Sequence, residues 1–504
     1  MKNFNLNQNK TLKKLTTLLV FAFLTAKINA QKSVAIEGWP TPPIETQKAP
    51  MWLGGDPVLG RLTCPPITRI NLEEKVSEGL LLNEVKVRES KNQTVWEYKL
   101  KEGIYWWSGQ EATSLDLLNF FNVNIKEIVA QKGGGLWSLP SYQSKIEGKS
   151  LIVTWSSKPQ YGPYIINDIS FTRPGKDPKS NFSYECTGIY SAKAKEGYLD
   201  LTPNKSYFKS RPKILFQTTE GPSLVTKADQ TLSFQMAKEI STKTSKSVFR
   251  SKEKCENIVP LPLYTTAFWN YEKKWFKDSK VRSVLASTFV KKALLYAGGK
   301  GWGDSSSSII PAGHPGHGSA SKDDPLHLKV ISERLDKLAP KIDARSKYRL
   351  DKNKAPLTLS ISSPLGDTIV SKVFIDNLKS IGIKGILKPY EKNSRNYDVL
   401  ITGLFVPWPS ANLLPWYHSQ VKNKTIPIQV SSSSLDKMLE SYALSTTGKY
   451  PDFKTLRKIH AASIQQQDLT PIVRHKACLV SSSGLHKKTA VNGEEPDWFK
   501  KILF

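Results

Sequence analysis

Thr94-Val-Trp-Glu-Tyr-Lys-Leu-Lys-Glu-Gly-Ile-Tyr-Trp-Trp-Ser-Gly109, continued by Ala112-Thr-Ser-Leu-Asp116, is the stretch from which the fold is read. Thr94 to Leu100 alternates β-branched or aromatic residues with polar ones, the period of a strand with one buried face. Gly109 supplies the positive backbone angle of a sharp turn. Thr113 and Asp116 stand at capping-box spacing, and the acid falls in the first helical turn, where the helix dipole favours negative charge. Leu118, Phe121, Ile125, Ile128 and Val129 then lie on one helix face. The stretch predicts strand, turn and helix in immediate succession.

The same grammar recurs on either side. Ser150 to Trp155 is an apolar run bounded by turn signals and reads as a strand. Ile369, Val373, Phe374, Leu378 and Ile381 form a second helical stripe, stopped by Gly382, and Ile383 to Leu387 follows as a strand. Helix and strand joined this tightly build α/β layers. Pro40 to Pro43, Lys132 to Gly135, Lys300 to Ser308 and Ser431 to Ser434 interrupt the pattern, but none is long enough for a disordered linker, and no internal repeat is visible.

Five separated blocks identify the chain by resemblance. The opening stretch is the first; it is similar to the signature of the peptide-type (family 5) extracellular solute-binding proteins, in which a strand turns at a glycine and enters a helix through an Ala-x-Asp start. Thr187-Gly-Ile-Tyr190 with Leu199 to Leu201, Asn204, Tyr207 and Arg211-Pro-Lys-Ile214 is the second. Phe268-Trp-Asn270, Phe276-Lys-Asp278, Val281-Arg282 and Leu285 make the third, where the family's chain crosses into its second lobe. Leu378-Lys-Ser-Ile-Gly-Ile383 with Tyr397-Asp398 and Gly403 is the fourth. Leu435-Asp436-Lys-Met-Leu439, Arg457 and Asp468-Leu-Thr-Pro471 complete the order. Without any family, Gly109, Gly188, Gly382, Asp116 and Asp398 read as turn, packing and strand-end residues rather than ligand contacts.

The resemblance implies a two-lobed periplasmic binding-protein fold of the Venus-flytrap type, α/β, with mixed sheets flanked by helices and an extra subdomain. The first lobe would comprise 31–60, 150–265 and 470–504, with the subdomain inserted at 61–149 and the second lobe at 266–469. It further implies the substrate-binding component of an ABC importer, with an inner-membrane permease as partner and a small solute, oligopeptide by default, held between hinged lobes. A sensor or cell-wall-turnover module of the same fold is the alternative, as is a binder of sugar or another non-peptide solute.

In peptide-binding relatives an aspartate after the Tyr-Asp strand pairs with the peptide's amino terminus. The matching place here is near Pro407, and no acid occurs from Leu400 to Gln420. An ammonium buried there would lack a partner charge, at a cost of several kcal/mol. Phe405, Trp408, Trp416 and Tyr417 occupy that region instead; with Trp39 and Trp269 they are the expected ligand-binding residues, forming an apolar or sugar-stacking cleft. Their alternative is ordinary core.

The ends and composition set the bounds. Lysines at 2, 10, 13 and 14, an apolar core from Leu15 to Thr25 and small residues to Ala30 form a secretory signal with cleavage after Ala30. No lipid-accepting cysteine follows, and no later run reaches the roughly 18 apolar residues of a membrane span. A free periplasmic monomer is expected. Of the net charge of +29, the first thirty residues supply five lysines and no acid, leaving +24. These charges are spread along the chain with no nucleic-acid motif, so they read as a solvated surface rather than a nucleic-acid partner. Cys64, Cys186, Cys255 and Cys478 permit one or two disulfides in an oxidising compartment, with the pairing open. Neither they nor His314-Pro-Gly-His317 has zinc-ligand spacing, and His418 is the histidine nearest the expected cleft. With no nucleophile elbow and no phosphate loop (Gly133-Gly-Gly135 lacks the following Lys), no catalytic residue, metal or cofactor is expected.

Overall fold

The computed structural model describes residues 33–39, 59–90, 93–175, 184–195, 198–204, 206–207, 213–218, 230–236, 257–289, 303–318, 327–364, 368–391, 394–406, 412–421 and 435–481. The expected signal at 1–30 lies outside them. Among the described residues no helix is long and apolar enough to cross a membrane.

The chain enters through strand β1 (Ser33–Trp39) and helix α1 (Leu59–Thr63). A hairpin of β2 (Thr68–Asn71) and β3 (Val76–Gly79) leads into β4 (Leu82–Glu89) and β5 (Thr94–Leu100). Helix α2 (Ser114–Lys132) follows, with Thr113 as N-cap and the Thr113–Asp116 capping box formed. Then come β6 (Tyr142–Glu147) and β7 (Ser150–Trp155), giving a four-stranded antiparallel sheet in the order β4-β5-β7-β6. Helix α2 packs on this sheet around Trp96, Trp155, Phe121 and Ile125, and Ile165, Ile166, Ile169 and Phe171 close the same core. The segment expected as a subdomain at 61–149 thus shares one core with β7 and with the chain to Phe171, since β7 pairs with both β5 and β6. β8 (Thr172–Pro174) and β9 (Tyr184–Cys186) form a small hairpin beyond it.

An 11-stranded sheet organises the remainder. Its strands are β1, β10 (Tyr190–Lys195), β11 (Tyr198–Pro203), β12 (Lys213–Thr218), β13 (Gln230–Met236), β14 (Asn257–Trp269), β15 (Gly303–Ser305), β16 (Thr358–Ser362), β17 (Lys384–Lys388), β18 (Val399–Phe405) and β19 (Leu469–Ser481). The order is β10-β11-β12-β1-β13-β19-β14-β18-β16-β17, with β15 paired to β19. β12, β1 and β13 are parallel at one end; β18, β16 and β17 are parallel at the other.

The two thirteen-residue strands β14 and β19 pair antiparallel and run through both halves. Helices α3 (Ser279–Ser287), α4 (Leu328–Leu335), α5 (Ile369–Ser380), α6 (Leu414–Tyr417), α7 (Asp436–Ser445) and α8 (Phe453–Gln466) belong to the half bearing β16–β18 and share its apolar core. Gly382 ends the α5 segment at φ 79°, as its place after the stripe requires.

Candidate binding site at the strand crossing

Register fixes where the two halves face each other. On one side Leu232 lies opposite Ser481 and Met236 opposite Ala477, so β13 runs toward the middle of β19. On the other side Val399 lies opposite Trp269 and Phe405 opposite Leu263, so β18 runs toward the middle of β14. The carboxyl ends of both parallel sets thus converge on the crossing from opposite sides, which is where open α/β sheets hold ligands. Trp39 ends β1 and Phe405 ends β18, so the backbone brings these two expected residues toward the crossing. Their side chains, and Trp408 and Pro407 altogether, lie outside the described residues.

At the crossing the β14–β19 ladder breaks. Pro260 pairs with Lys476, yet the next pair is Tyr264 with Arg474, so β14 bulges over Leu261, Pro262 and Leu263. Pro262 brings no N–H to the ladder, and such a bulge locally interrupts strand pairing. Arg474 Nε donates to Leu261 O at 3.1 Å, and the Thr265 hydroxyl meets His475 Nε2 at 2.7 Å. Burial holds His475 down to about 4 from its usual 6.5.

The other expected aromatics are core residues. Trp269 is fully buried six residues along β14 from Leu263, about 20 Å from the crossing at strand rise. Its indole N–H donates to Thr470 Oγ1 at 3.0 Å, and its ring stacks on Phe276. Trp416 and Tyr417 lie in α6 and pack into the same core, which pushes the Tyr417 hydroxyl well above its usual range. All three are thus buried in the core of the half bearing β16–β18, Trp269 on β14 and the other two on α6.

The five sequence blocks meet in space as two clusters. One surrounds the Cys64–Cys186 disulfide. There Trp107 N–H donates to Cys186 O at 3.0 Å, Asn204 Nδ2 to Trp106 O at 3.1 Å, and Tyr207 hydroxyl to Thr187 O at 2.9 Å. A Cβ on Gly188 would stand 2.1 Å from Thr63 O, so only glycine fits. Of the other two cysteines, Cys255 and the Cys478 side chain lie outside the described residues.

The second cluster lies at the root of the α-rich half. Arg282 pairs with buried Asp468 at 2.8 Å, while Tyr271 donates to the same carboxylate oxygen. Asn270 Nδ2 donates to Tyr397 O at 2.7 Å, and Asp398 Oδ2 accepts from Ser360 N–H at 2.7 Å. Burial raises the Asp468 carboxyl, with Tyr271 and Arg282 pulling the other way. Neither cluster is at the crossing.

Three of the described histidines share one arrangement. Nδ1 of His314, His418 and His460 accepts a backbone N–H from Gly316, Gln420 and Gly318 respectively, which leaves the proton on Nε2. His418 Nε2–H then donates to Glu440 at 2.9 Å. A neutral imidazole holding its proton on Nε2 and its lone pair in a backbone bond presents no metal-binding nitrogen. Among the described residues no group of three or more His, Cys, Asp or Glu is placed to hold a metal.

Comparison with known proteins bears on the fold and the family. The family model for bacterial extracellular solute-binding proteins, family 5, matches residues 78–424. Solved structures share the fold over nearly the whole chain. NikZ from Campylobacter jejuni, in complex with Ni(L-His), aligns with a TM-score of 0.68 at 14% identity, covering 94% of this chain and 99% of its own. The oligopeptide-binding protein AppA from Bacillus subtilis, in complex with a nonapeptide, gives 0.63 at 13% identity with the same coverages. A periplasmic EDTA-binding protein, EppA, gives 0.65 at 12% identity, covering 94% and 96%. No curated protein sequence matches. The fold is the two-lobed α/β fold of periplasmic binding proteins. The chain belongs to the family 5 extracellular solute-binding proteins.

Proposed function

We propose that this chain is the periplasmic, non-enzymatic component of an ABC importer and captures a small organic solute between two lobes joined by β14 and β19. The first lobe carries β1 and β10–β13 with the subdomain attached; the second comprises about residues 266–469. The observation that carries this reading is the convergence of two opposed sets of strand carboxyl ends on a crossing whose ladder is broken by a bulge. A local break in pairing is where two lobes bend with least loss of hydrogen bonds.

Three observations bear on the solute. Relatives solved with a nonapeptide, a nickel–histidine complex and an EDTA-binding role share the fold at 12–14% identity, so the fold itself selects none of these. The acid-free stretch from Leu400 to Gln420 disfavours a free amino terminus, and Trp39, Phe405 and Trp408 favour an apolar or stacking solute. The histidine tautomers disfavour nickel held by His314, His418 or His460.

The test is native mass spectrometry of the monomer purified from its own host. A retained small organic molecule whose re-addition raises the melting temperature of stripped protein supports the reading. A retained metal without organic ligand overturns the solute class. No retained molecule, with no thermal shift across peptides, sugars and chelates, overturns solute capture in favour of a sensor or cell-wall module.

A further inference from the structure

We propose that the turn Thr446–Lys449, at the end of α7, is a clasp by which the second lobe fastens onto the inserted subdomain, with Thr447 and Gly162 as its positioning residues. The inference rests on the two-lobe reading above and adds a fastening point away from the solute. Four hydrogen bonds define it. Gly162 N–H donates to Thr447 Oγ1 at 2.7 Å, and Tyr164 N–H to Thr447 O at 2.8 Å. Asn167 Nδ2 donates to Thr446 O at 2.9 Å, and Ser77 N–H to Lys449 O at 2.7 Å. A fifth link beside them runs from Asn412 Nδ2 to Lys132 O at 3.0 Å.

The turn is built before it docks. Thr446 N–H and Gly448 N–H donate back to Tyr442 O and Ser445 O. The Thr447 hydroxyl donates to Leu444 O at 2.6 Å, so its proton is committed within its own lobe and a lone pair is left to face Gly162. Thr447, Asn167 and Ser77 are each exposed by 2% or less. Beneath the clasp, Trp137 packs against the cores of both units, Leu72 against that of the second lobe, and Leu444 against that of the subdomain. The subdomain's other side is fixed by the Cys64–Cys186 disulfide. One attachment is covalent and the other is made only of hydrogen bonds and apolar contact, so the second is the one that opens.

Gly162 provides a variant that separates docking from folding. Its backbone angles, φ −93° and ψ 176°, suit any residue. A Cβ there would stand 2.5 Å from Thr447 O, 3.1 Å from Thr447 C and 3.3 Å from Gly448 Cα, with all three atoms across the seam. Gly162→Ala therefore leaves the subdomain intact and obstructs only the docked state.

Hydrogen exchange of the host-purified protein, read with small-angle scattering, tests the clasp. The wild type should show slow exchange at Ser77, Gly162 and Tyr164. In Gly162→Ala, and in Thr447→Val, exchange there should quicken about tenfold or more, the size of one or two lost hydrogen bonds. The β5 and β7 amides should stay unchanged while the radius of gyration rises. Fast exchange at these amides in the wild type overturns the clasp, as does unaltered protection in both variants. Quickening shared equally by β5 and β7 also overturns it, since that is unfolding. A solute found by mass spectrometry with an unprotected seam sinks the clasp alone; a protected seam with no solute sinks the binding role alone.

Discussion

At the scale of single residues, the buried titratable groups make stability depend on pH with a definite sign. His460 is fully enclosed and beside His317; burial first, and that neighbour second, hold it down to about 4. An unfolded chain takes up this proton near 6.5, so between about 6.5 and 4 the unfolded state binds more protons than the folded one. The contribution is complete above pH 6.5 and is lost as pH falls toward 4; for His460 it amounts to roughly 2–3 kcal/mol. His475 acts in the same direction. Urea midpoints at pH 7 and pH 4.5 should differ less in His460→Asn than in the wild type; an equal or larger difference would exclude this histidine as the cause. The Arg282–Asp468 pair supplies a second expectation. Arg282→Ala leaves a buried carboxylate without its cation and should cost about 3–5 kcal/mol in chemical denaturation; a loss below 1 kcal/mol would mean that Tyr271 alone satisfies it.

At the scale of elements, what was legible followed local chemistry. β5 and β7 have the expected ends, Thr94–Leu100 and Ser150–Trp155, and the Thr113–Asp116 box starts α2 as its spacing predicts. The α2 stripe is wider than expected: Leu117 and Phe120 are buried and Leu118 only partly, because the helix packs against Phe171 as well as its sheet. β19 was illegible, since Leu469–Ser481 carries a proline and three basic residues and takes its strand form from partners on both sides. The clasp also leaves no local signal, because Thr446-Thr447-Gly448 has the composition of any helix exit. The disulfide between the segment after α1 and β9 closes 122 residues. Cys64→Ser with Cys186→Ser should cost about 4–5 kcal/mol on the chain-entropy model, read as a shift in urea midpoint; no shift would mean that the surrounding Trp107, Asn204 and Tyr207 bonds already fix the junction.

At the scale of the whole molecule, the ordered blocks disclosed the architecture and withheld the solute for one reason. Many of the block residues discussed above sit in the disulfide cluster, at the root of the second lobe, or in a turn, cap or core strand, where packing and backbone geometry constrain sequence at any ligand specificity. The residues nearest the strand ends carry no such backbone requirement; Trp416 and Tyr417 follow β18 by about a dozen residues and are buried with α6. The two unequal attachments of the subdomain have a further consequence. While Cys64 and Cys186 are joined, the subdomain travels with the first lobe and the clasp is the contact that parts. With both thiols reduced, the Trp107, Asn204 and Tyr207 bonds and the two peptide connections of the inserted segment still hold the subdomain to the first lobe, so reduction should loosen that junction without releasing it. The thiol oxidation state of the compartment would then set how stiffly the subdomain follows the first lobe.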